Sequence, residues 1–97
     1  MQRLLLERRI RDVHERLVRA RGELAVIDEQ LDVMSDAADD ARIRSLVAET
    51  PLAARDYDEA RRHADVLVRA RQALLDTLGD LQRRQDELLM RVGPGRP

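Results

Sequence analysis

Apolar side chains recur along this chain at alternating steps of four and three residues, and the beat is interrupted once. The first run is Leu6, Ile10, Val13, Leu17, Ala20, Leu24, Ile27, Leu31 and Met34, continuing through the smaller Ala38, Ala41, Ser45 and Ala48. A mean step of 3.5 keeps one seam of a helix turned toward a partner helix, which is the heptad condition for a coiled coil. A second run follows at Tyr57, Ala60, Ala64, Leu67, Arg71, Leu74, Leu78, Leu81, Gln85 and Leu88. Between them stands Glu49-Thr50-Pro51-Leu52. Thr50 is a good N-cap, because its hydroxyl accepts a backbone N–H of the following turn. Pro51 fits the first helical position, where its missing N–H costs nothing. It also disfavours helical geometry for Thr50, so the first helix stops near Glu49.

The two runs agree with each other. In an antiparallel hairpin, facing residues have numbers with a nearly constant sum. Folding at Thr50–Pro51 pairs Met34 with Leu67, Ile27 with Leu74, Ala20 with Leu81 and Val13 with Leu88, each summing to 101. Near the bend Ala41 meets Ala60 and Ala38 comes close to Ala64. The sequence therefore predicts an all-α fold, a long antiparallel two-helix coiled-coil hairpin. Residues 1–92 make one domain, with helices over about residues 2–49 and 51–91 and a bend at 49–52. At 1.5 Å per residue such a hairpin is roughly 60–70 Å long. The glycines and prolines of residues 93–97 stop the second helix and leave a flexible tail. One stretch, Ser35-Asp36-Ala37-Ala38-Asp39-Asp40-Ala41, offers N-caps and poor helix formers inside the first helix. A break there, giving a short middle helix near 40–49, is the alternative. Gly79 costs the second helix about 1 kcal/mol against alanine, and the leucines around it hold the helix through that point.

Two helices in contact bury one stripe each, a thin core for 97 residues. Apolar residues also lie off the seam. Val68, Leu75 and Leu89 take heptad position e of the second helix, beside Leu67, Leu74 and Leu88. Val18, Ala25, Val26 and Val33 form a second patch on the first helix, and Ile43, Leu46 and Val47 another near the bend. Contiguous exposed apolar residues mark contact surfaces. The expected partners are a second copy, giving a four-helix bundle, or a helix of a larger protein. Arg71 and Gln85 fall at inward positions, against Leu31 and Leu17. Their stems can lie on apolar surface while the heads stay wet.

Most charges read as solvated helix faces. Glu7–Arg11, Asp12–Arg16, Glu15–Arg19, Asp58–Arg62, Asp65–Arg69 and Asp80–Arg84 are acid-then-base pairs at i,i+4, each worth about 0.2–0.5 kcal/mol. All 18 basic residues are arginine, against 19 acids. Residues 1–22 with 69–97 carry 13 arginines and 7 acids, whereas residues 23–68 carry 5 arginines and 12 acids. The bend half is therefore acidic, and Asp56 and Asp58 make it a second candidate surface for steering into a basic partner. Because arginines are interleaved with acids and Tyr57 is the only aromatic, nucleic-acid binding is not expected.

Catalytic and metal chemistry lack their residues. Without cysteine there is no thiolate nucleophile and no cysteine-ligated metal. His14 and His63 are the only histidines, and the cluster of Asp58, Glu59 and His63 reads as solvated surface charge. Asp36, Asp39 and Asp40 lack the alternation and glycine of a calcium loop. No phosphate loop, nucleophile elbow or HExxH occurs, and a two-helix fold offers little concavity. The expectation is a non-enzyme without cofactor or metal. Leu4-Leu5-Leu6 is too short for a signal peptide's apolar region, and no run reaches the length of a membrane span. The expected location is cytoplasmic, with no membrane partner.

Within residues 52–62, Asp56, Tyr57, Ala60 and Arg61 match an acidic–Tyr–x–x–Ala–basic pattern. In this the stretch resembles the start of the second helix in Gre-type transcript-cleavage factors, whose coiled-coil hairpin enters a channel of RNA polymerase. The tip acids that hold metal in that family would align with Thr50 and Ala53, which cannot bind it. The resemblance thus implies polymerase or sigma-factor binding through the acidic bend, without cleavage. The leading expectation remains a non-catalytic protein–protein interaction module. Transcription regulation through the bend is the alternative, and a small-ligand sensor built on a helical dimer a further one.

Overall fold

The computed structural model describes residues 2–93. Its elements are two helices, α1 (Gln2–Ala48) and α2 (Pro51–Val92), joined as a hairpin, and no strand occurs among the described residues. The all-α two-helix hairpin read from the heptads is what forms. α1 runs unbroken through residues 35–41, so no separate middle helix appears. There Ser35 and Ala38 are half-buried and Ala41 is buried, and this packing outweighs the weak helix propensities of the aspartates.

The bend is capped on both sides. Glu49 takes a left-handed conformation (φ 51°), and its N–H donates to the Ser45 carbonyl at 3.1 Å, closing the last turn of α1. The Thr50 hydroxyl oxygen accepts the Ala53 N–H at 3.2 Å, and its carbonyl accepts the Ala54 N–H at 3.1 Å. Thr50 is thus the N-cap of α2, with Pro51 the first helical residue. At the far end Gly93 has φ 87° and donates to the Met90 carbonyl at 3.1 Å. A left-handed residue after the last turn suits glycine, which has no side chain to clash. The rest of the tail predicted over 93–97 lies outside the described residues.

The chain divides into two compact units, one formed by the residues up to Leu24 with those from Leu74 on, the other by Ala25–Ala73. In the first, Val13, Leu17, Ala20, Leu81 and Leu88 are buried in one cluster, with Leu6, Ile10, Leu74 and Leu78 packed against it. The pairings of Val13 with Leu88 and Ala20 with Leu81 both fall inside this cluster. Each fully buried leucine contributes about 1.5–3 kcal/mol, and Leu17 and Leu88 are the largest fully buried side chains. Arg21 donates to the Gln82 side chain at 3.2 Å across the two helices.

In the second unit Ala41 alone among the described residues is buried, and Leu31, Met34, Tyr57 and Leu67 are half-buried. Small side chains (Ala38, Ser45, Ala60, Ala64) occupy its seam near the bend. Arg71 keeps its head at the rim, where both side chains of the pair stay partly exposed: its Nε lies 2.6 Å from Asp28 Oδ1 on α1, an ion pair across the helices. Asp28 sits one residue past the seam position Ile27, so the arginine stem crosses apolar surface and its head meets charge at the rim. No buried side-chain polar atom among the described residues lacks a partner.

The six i,i+4 pairs expected along the helix faces do not close. Glu7 pairs with Arg3, Asp80 with Arg83, and Arg62 Nε donates to the Asp58 backbone carbonyl at 3.2 Å. Fully solvated pairs gain little Coulomb energy and lose side-chain entropy, which leaves these arginines free to take other partners.

Candidate interaction surfaces

Off the seam, the sequence leaves apolar side chains at helix positions with nothing of their own chain to cover them. Val26 and Val33 stand two turns apart on α1 and are both exposed, as are Leu46 and Val47 near its end. Val47 is the most open, at 81 %. On α2, Val68 and Leu89 are exposed, but Leu75 is half-buried. Its position e borders Leu74, beside the seam.

At the bend, the end of α1 and the first turns of α2 enclose an open groove of about 380 Å³. Ile43, Val47, Leu52 and Ala53 supply apolar walls, and Arg44 and Asp56 stand at its edge. Of the candidates named from sequence, Ile43, Val47 and Asp56 come together here. Leu46 and Asp58 are exposed but do not line it. Leu52 and Arg44 were not singled out by the sequence reading. The signal for Leu52 was present: once Thr50 is the N-cap, Leu52 lies in the first turn of α2, off the seam that begins at Tyr57. Arg61 lies over the Tyr57 ring, 6.0 Å from its centroid, one turn further along α2.

Where the helix ends meet in the first unit, a groove of about 540 Å³ is lined by Leu5, Leu6 and Val92, with Arg3, Arg9 and Arg91 beside it. These arginines are exposed, so any anion there would be held in water rather than in a closed site.

His14 and His63 are both exposed, and among the described residues no three histidine or carboxylate side chains are placed to hold a metal ion. No helix of the described residues is long and apolar enough to cross a membrane. What the surfaces offer is apolar contact area edged by charge. No protein-family model, curated protein or solved structure matches this chain.

Proposed function

We propose that this chain is a non-catalytic protein–protein interaction module that associates with a second copy of itself to complete a four-helix bundle. The observation behind this reading is the balance of apolar burial. Among the described residues six hydrophobic side chains are buried, while Leu4, Leu5, Val18, Val26, Val33, Leu46, Val47 and further large ones are exposed. Association with a copy covers that surface without requiring any site chemistry.

Light scattering on the purified chain tests this. The expected mass is twice the 11.2 kDa of one chain. A concentration-independent monomer overturns self-association and leaves docking on a larger partner.

The groove at the bend favours a second reading, a transcription regulator that docks on RNA polymerase or a sigma factor. Its apolar walls carry Asp56 at the edge, and Asp58 is exposed nearby. Binding to purified polymerase that is abolished by Asp56→Arg with Asp58→Arg supports it, and no binding by the unmodified chain removes it.

A further inference from the structure

Most of the large exposed apolar residues of α1 follow a pattern that the seam does not require; Ile43, whose mirror position is Arg8, stands outside it. About the midpoint between Ala25 and Val26, Leu4 mirrors Val47, Leu5 mirrors Leu46, Val18 mirrors Val33, and Ala25 mirrors Val26. All of these residues are exposed, and all belong to one uninterrupted helix. They occupy the two heptad positions directly after the residues Ile10, Leu17, Leu24 and Leu31, and these positions flank the row of Arg8, Glu15, Gly22, Glu29, Asp36 and Ile43 on the side of the helix away from the seam.

A two-fold interface uses one patch on both copies, so that if residue i meets residue j, then j meets i. A stripe that is its own mirror image satisfies this when two helices run antiparallel. We infer that two copies of this chain meet through α1, antiparallel, about a two-fold axis beside Ala25 and Val26. This rests on the self-association proposed above and adds the face and the direction, with α1 meeting α1 on the side away from the seam in place of a four-helix bundle closed around a shared core.

Charge decides the direction, because an in-register parallel pair would also bring apolar residues together. Parallel alignment sets Arg11 against Arg11, Arg19 against Arg19, Asp32 against Asp32 and Asp40 against Asp40. Antiparallel alignment sets Arg11 against Asp40 and Arg19 against Asp32, with two unfavourable meetings, Asp12 with Asp39 and Glu15 with Asp36, where parallel alignment sets every one of these charges against its own kind. Arg11, Asp40, Arg19 and Asp32 are exposed and make no ion pair within the described chain. Along the whole helix, residues 2–22 carry seven arginines and three acids, and residues 23–48 two arginines and seven acids. The antiparallel pair lays the basic half of each α1 on the acidic half of the other, and such complementarity selects orientation more than it adds affinity.

The chain has no cysteine, so introduced ones report geometry directly. A mixture of Leu5→Cys and Leu46→Cys chains is expected to form a disulfide-linked dimer on oxidation, while Leu5→Cys alone does not. Linking of Leu5→Cys to itself, or an unlinked mixture that light scattering still finds dimeric, overturns the antiparallel α1 contact while leaving self-association standing. A monomer by light scattering removes both. Arg19→Asp and Asp32→Arg are each expected to weaken the dimer severalfold, and the two together to restore it, with helicity by circular dichroism unchanged. A double variant as weak as the singles counts against this pairing.

Discussion

Single residues decide where this chain turns. Glu49 holds a left-handed backbone without being glycine or asparagine, a conformation that costs an L-residue roughly 1–2 kcal/mol. Thr50 offsets part of that strain by capping α2 through the Ala53 N–H. The two residues therefore pull stability in opposite directions. Glu49→Gly is expected to raise the chemical-denaturation midpoint, by up to about 1 kcal/mol of stability. Thr50→Ala is expected to lower it by about 1 kcal/mol. Urea titration followed by circular dichroism reads both, and equal midpoints for the two variants would show that the caps do not set the bend. Thr50 and Pro51 were legible in advance because capping is chemistry between neighbours in sequence. The strained Glu49 was not: nothing in a glutamate announces φ 51°, which is imposed by where α2 must begin.

At the level of the helix, periodicity outweighed propensity. The aspartates and serine of residues 35–40 argue locally for a break, yet α1 continues because Ala38 and Ala41 stay on the covered face. Gly22 tests propensity where packing within the chain is silent. It lies in the helix interior, exposed, and an added Cβ would meet nothing within 4 Å. Gly22→Ala is expected to add about 1 kcal/mol of stability, seen as a higher melting temperature in calorimetry. No rise would mean that the glycine makes room for something outside the chain. The fixed i,i+4 charge spacing also belongs to this scale, and spacing alone misjudged it. Position puts Glu7 near Arg11, but exposed rotamers chose Arg3 instead.

For the molecule as a whole, the question is what covers the apolar residues left outside the seam. If a second copy does, unfolding is coupled to dissociation, and the melting temperature rises with protein concentration. Calorimetry over a hundredfold range of concentration checks this, and a constant melting temperature speaks for a monomer. The seam positions, the single reversal and the two-helix class were determined by sequence, because a 3.5-residue repeat and a Thr-Pro corner are local patterns that tolerate few folds. Tertiary structure alone decided how deeply each position is covered. It half-buried Leu75 and left Val68 and Leu89 in solvent, joined Arg71 to Asp28, and set Val47, Leu52 and Asp56 around one groove. The physical reason is that a heptad names the facing stripe, whereas the reach of a side chain to either flank depends on the opposing helix, which lies far away in sequence.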